Sequence, residues 1–126
     1  MKVGDELPPL EIHLTHKLIT AAAIASRDYQ DVHHDADAAR EKGSKDVFMN
    51  ILTTNGFVGR FVTDWAGPAA VIKAVKIRLG VPNYPGDTMR LTGHVSAVDG
   101  NVVTVDVRGA NDLGDHVTGT VIVTIP

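Results

Sequence analysis

Apolar residues recur every three or four positions in the first half of this chain and largely every second position in the second. After Thr15, a residue suited to capping a helix, Leu18, Ala21, Ala22 and Ala25 fall on one helical face. Asp35 to Gly43 reads as a short second helix, with acids in its first turn and a glycine stop. Residues 28–34 are then a loop between two helices. The longest pattern follows: Ile51, Leu52, Phe57, Val58, Phe61, Val62 and Trp65, with Asn50 as cap and Gly67-Pro68 as stop.

Beyond it, Ala70–Leu79, Thr88–Val98, Val102–Ala110 and His116–Ile125 are rich in Val, Ile and Thr and read as strands. Tyr84-Pro85-Gly86-Asp87, Asp99-Gly100-Asn101 and Asn111-Asp112-Leu113-Gly114-Asp115 carry turn residues. Three short connections predict an antiparallel meander, and helices followed by strands predict an α+β fold, one long apolar helix against a curved sheet of about five strands. Such a sheet leaves two edges unpaired, so an oligomer is expected. Gly56 and Gly59 inside the long helix each cost about 1 kcal/mol relative to alanine, which predicts close backbone approach or substrate space there.

The 126 residues, 44% of them hydrophobic, suit a single domain spanning 1–126 that buries roughly two-thirds of its unfolded surface. A net charge of −3 with scattered basic residues gives no footprint for nucleic acid or an acidic membrane. The absence of cysteine removes disulfides, thiol nucleophiles and thiolate metal sites. Two acids and two prolines precede any apolar run at the N-terminus, and no apolar stretch reaches eighteen residues. A cytoplasmic protein is expected.

The chemistry concentrates in Asp28-Tyr29-Gln30-Asp31-Val32-His33-His34. A carboxylate and an imidazole brought to one point from a turn can hold a water between them, one taking a proton while the other returns one. The same spacing also suits a turn with a capping acid and no catalysis. His33-His34-Asp35 offers metal-ligand types, but adjacent side chains seldom converge on one ion and no second cluster accompanies them, so no metal is expected. His13, His16, His94 and His116 read as structural or exposed, and Trp65 as a packing anchor.

Asp28-x-Gln30-Asp31-Val32-His33 resembles the hydratase motif of the MaoC-like, hotdog-fold (R)-specific enoyl-CoA hydratases, usually Gly-Asp-x-Asn-Pro-aliphatic-His. Here Arg27 stands for the glycine, Gln30 for the asparagine and Asp31 for the proline. Tyr84-Pro85-Gly86-Asp87-Thr88 and Arg78 also match, whereas Met49-Asn50-Ile51 stands where the family has His-Gly-Met. Longer strings, Val62-Thr63-Asp64-Trp65-Ala66-Gly67-Pro68 and Leu113-Gly114-Asp115-His116-Val117-Thr118 among them, are similar to the small MaoC-like subunits of actinobacterial steroid side-chain enoyl-CoA hydratases.

The resemblance implies a hotdog fold and hydration of a pregnane-type side-chain enoyl-CoA in cholesterol breakdown. Asp28 would be the general base and His33 would hold the water, with the backbone N–H groups of Asn50 and Ile51 as oxyanion donors. No cofactor is implied, since CoA is part of the substrate, and Arg78, Lys76 and Arg90 are candidates for its phosphates. The implied partner is a larger MaoC-like subunit in a heterodimer that doubles to a heterotetramer, and that subunit docks a retro-aldolase. The alternatives are a hotdog acyl-CoA thioesterase and a non-catalytic acyl-CoA-binding half.

Overall fold

A computed structural model of the chain describes residues 1–126. Strand β1 (Leu10–His13) is followed by helix α1 (His16–Ala25), a 3-10 turn (Asp31–His33), α2 (Ala36–Glu41) and α3 (Ile51–Ala66). Then come β2 (Val71–Leu79), β3 (Thr88–Asp99), β4 (Val102–Asn111) and β5 (Gly114–Thr124). The five strands form one antiparallel sheet in the order β1-β3-β4-β5-β2.

The expected helices are present, Thr15 and Asn50 cap theirs as expected, and Asp35 caps α2 from outside it. Thr15 Oγ1 accepts from the Leu18 N–H, Asp35 from Ala38 and Asn50 from Thr53. Two expectations are corrected. A strand precedes the helices: β1 is four residues of which only Ile12 is buried, too short to show a period beside Pro8-Pro9, and its partner β3 lies about eighty residues on. Nor are all three short connections hairpins. β2 pairs with β5 and not with β3, so residues 80–87 cross to the far side of the sheet.

Alternate residues of the central strands bury one face: Met89, Leu91 and Val95 of β3, Val103, Val105 and Val107 of β4, Val117, Val121 and Val123 of β5. Val58, Phe61 and Val62 of α3 fill the space over it and complete the core. Each such side chain contributes roughly 1.5–3 kcal/mol on leaving water. The crossover is clamped to the rest. Leu14 donates to the Asp87 carbonyl at 2.9 Å and accepts from Gly86 at 2.8 Å, and the Met49 N–H donates to the Asn83 carbonyl at 3.1 Å. Those bonds bring residues 79–82 beside the start of α3. Gly56 has open space where a Cβ would stand, and Gly59 meets only the tip of Ile72 at 3.6 Å, so neither marks a close backbone approach within this chain. No helix is long and apolar enough to cross a membrane.

Candidate active site

Helix α1 ends in a Schellman motif. The Asp28 N–H donates to the Ala23 carbonyl at 2.8 Å and the Arg27 N–H to the Ile24 carbonyl at 2.9 Å, which requires a left-handed residue between them. That residue is Arg27, at φ 58° the chain's only non-glycine residue with positive φ. The helix end aims Asp28 into a cavity of about 360 Å³ between the start of α3 and residues 79–82.

The 3-10 turn delivers His33 to the same cavity. Its Nδ1 lies 2.7 Å from the Phe48 carbonyl oxygen, which can only accept, so Nδ1 carries the proton. The Phe48 ring stands edge-on to the imidazole, centroids 5.1 Å apart. Nε2 therefore faces Asp28 Oδ2, at 3.3 Å. The His33 side chain is 8% exposed and that of Asp28 20%. His34, next in the chain, turns away and donates from Nε2 to the Tyr29 carbonyl.

Asp28 Oδ2 accepts from Asn50 Nδ2 at 3.1 Å and Oδ1 from the Gln30 N–H at 3.3 Å. The Asn50 bond holds the carboxyl below its ordinary pKa; burial opposes this, and the Gln30 bond and the His33 charge reinforce it. Asp28 is thus a carboxylate at neutral pH. Opposite, the backbone N–H groups of Asn50 and Ile51 begin α3 and have no acceptor within the chain, as the first turn of a helix dictates. Asn50 has φ −80° and ψ 160°, so this position accepts a side chain without backbone strain.

His116 is a wall of this cavity, where the sequence pattern left it merely structural or exposed. A register shift between Gly109 and Ala110 leaves it unpaired in the β4–β5 ladder, and this bulge turns both it and Val117 inward. Its Nδ1–H donates to the Val81 carbonyl at 2.6 Å, so Nε2 accepts from Thr54 Oγ1 at 2.8 Å. Burial pushes its pKa down, against the Val81 bond. Alternation in the sequence could not flag it, because a bulge breaks the period.

None of the three cationic candidates lines the cavity. Lys76 and Arg78 alternate with Val75 and Ile77, which pack on the core, and so stand on the outer face of β2. Arg90 lies on the outer face of β3, 3.2 Å from Glu11 Oε1.

The MaoC like domain family matches residues 2–115. The chain belongs to the MaoC-like family. Within it, the chain is 55% identical over 119 residues to the 3-oxo-4,17-pregnadiene-20-carboxyl-CoA hydratase beta subunit of Mycobacterium tuberculosis (strain ATCC 25618 / H37Rv), covering 94% of this chain and 92% of that protein. A chain of the ChsH1-ChsH2 complex from Mycobacterium tuberculosis superposes with a TM-score of 0.98 at 52% identity, over 99% of this chain and 98% of that one. The (R)-hydratase from A. caviae involved in PHA biosynthesis shares the fold at 21% identity, with a TM-score of 0.88 over 100% of this chain and 98% of that one. The helix-on-sheet architecture is thus the MaoC-like hotdog fold.

Proposed function

We propose that this MaoC-like chain is the water-activating subunit of an enoyl-CoA hydratase whose substrate is the side-chain 2-enoyl-CoA of a pregnane-type steroid. One observation carries the reading: the Asp28 carboxylate and His33 Nε2 face each other 3.3 Å apart in a cavity that Asn50 and Ile51, with their free N–H groups at the start of α3, also line. With the Nδ1 proton committed to the Phe48 carbonyl, a water between Asp28 Oδ2 and His33 Nε2 can hydrogen-bond to both. The identity to the pregnadiene carboxyl-CoA hydratase beta subunit supports the substrate class.

Asp28 takes a proton from the water as its oxygen adds to the β-carbon, while His33 Nε2 holds the water and relays that proton to the α-carbon. The electron pair of the double bond moves to the thioester oxygen and back, so the step needs no oxidant. The N–H groups of Asn50 and Ile51 receive the oxygen as it gains charge. CoA arrives as part of the substrate and no separate cofactor is required. Arg78, Lys76 and Arg90 remain candidates for its phosphates, which extend well beyond a cavity of this size.

The partner in this reading is a larger MaoC-like subunit. The outer edge of β2 is unpaired, and Val71, Ile72 and Leu79 on it, with Ile51 and Leu52 of α3, are exposed apolar residues. A heterodimer formed there, doubled to a heterotetramer and passing its product to a retro-aldolase, is the assembly we expect, in the cytoplasm.

The test is loss of enoyl-thioester absorbance with a C17 side-chain steroid enoyl-CoA and this chain coexpressed with its larger partner. Asp28→Asn lowers the rate roughly a thousandfold with partner binding intact. Release of free thiol in place of hydration makes the protein a thioesterase, and unchanged turnover in the variant moves the chemistry to the partner.

A further inference from the structure

Asn50 stands where the family motif has glycine, and its side chain is fully engaged. The residue is 2% exposed. Its two amide hydrogens go to Asp28 Oδ2 at 3.1 Å and to Ser26 Oγ at 3.0 Å. Its Oδ1 accepts from the Thr53 N–H at 3.1 Å and from Thr53 Oγ1 at 2.5 Å. The amide cannot be turned over, since that would set Oδ1 against a carboxylate and Nδ2 against a backbone N–H. Ser26 Oγ in turn donates to the Ala22 and Ala23 carbonyls, the last turn of α1.

We propose that the Asn50 side chain is a positioning residue for Asp28: it ties the base to the start of α3 and aims the remaining lone pair of Oδ2 at the point shared with His33. The kinetic part rests on the hydratase reading above. A single residue then supplies both ends of the catalytic geometry. Its backbone N–H faces the thioester oxygen and its side chain holds the base, so the two cannot drift apart. A glycine at this position leaves Asp28 anchored only through its own turn. Holding Oδ2 also restrains its basicity, because the bond to Asn50 favours the ionised form. The titratable groups that share the cavity with Asp28 are His33 from the 3-10 turn, which faces it, and His116 from β5, whose ring nitrogens are taken by Val81 and Thr54; no other charged side chain lines the cavity.

Asn50→Ser tests this, since serine caps a helix about as well but cannot reach Asp28 with an N–H. The coexpressed complex is labelled with 13C-carboxyl aspartate, and the Asp28 signal is assigned by its loss in Asp28→Asn. In Asn50→Ser the Asp28 carboxyl titrates higher than in the wild type, because the bond that favours its ionised form is gone. The acid limb of kcat/KM moves up with it, and kcat falls roughly tenfold with KM little changed. Should Asn50→Ser fail to fold, Asn50→Asp keeps the shape and the cap and raises the Asp28 midpoint further, by like-charge repulsion. An unmoved carboxyl midpoint in an active, folded complex overturns the proposal alone. A midpoint that moves in Asn50→Ser, together with a wild-type complex that hydrates no enoyl thioester, overturns the hydratase reading and leaves the Asn50–Asp28 tie standing.

Discussion

Arg27→Gly should make this protein more stable. Arg27 occupies the left-handed position of the Schellman motif that ends α1, with φ 58°. A left-handed residue with a Cβ costs roughly 1–2 kcal/mol, and glycine relieves it. Against this, glycine gives up about 0.5–1 kcal/mol through its freer unfolded chain. The Arg27 side chain is exposed and forms no hydrogen bond or ion pair, so its removal subtracts little. The Arg27 and Asp28 N–H bonds to Ile24 and Ala23 are kept in the variant. The net gain is centred on about 0.75 kcal/mol, a rise in Tm of roughly 2–5 °C for a domain of this size. Arg27→Ala is the control: it loses the same side chain but keeps the strain, so it should sit at or below wild type. Thermal unfolding of the coexpressed complex, with urea titration for free energies, reads all three proteins. Hydratase turnover should stay within about twofold, because Asp28 keeps its backbone bond. Equal stability of the glycine and alanine variants would refute the argument that strain at this position sets the difference.

Three further outcomes are open to measurement. Gly119→Ala puts a Cβ onto the Lys76 carbonyl oxygen and 3.0 Å from Ile77 Cα, so the β2–β5 ladder must yield. A loss of about 2–3 kcal/mol in urea unfolding is expected, and a loss under half a kilocalorie sinks it. His116 has a pKa depressed by burial, so the unfolded chain binds its extra proton first. Stability is then full above the ordinary histidine value of 6.5 and falls as pH drops below it; the Tm of His116→Gln should slope less between pH 7 and 5 than that of wild type. Gly56 on α3 has open space, so Gly56→Ala should strengthen the isolated helix by about 1 kcal/mol. A drop in partner affinity with that gain would place Gly56 under the second subunit, and no gain would refute the propensity argument.

The helices were legible because their signals are local. Thr15, Asp35 and Asn50 cap the elements that their neighbours' spacing announces, and Val58, Phe61 and Val62 repeat on the buried face of α3. Asp28 and His33 were also legible, because one short turn carries both. β1 and the crossover were not: Leu10–His13 is too short to show a period, and whether β2 pairs with β3 or β5 depends on which strand lies beside it in space. Arg27 in the motif's glycine position marked a departure, but only the Schellman bonds explain why a glycine belongs there. The cavity's other walls, His116 behind a bulge and the Asn50 amide across 22 residues from Asp28, came from tertiary structure alone. Side-chain periodicity reports what a residue's own element does with it. Which distant groups meet at Asp28 is decided by how α1, α3 and β5 pack, and no local pattern encodes that distance.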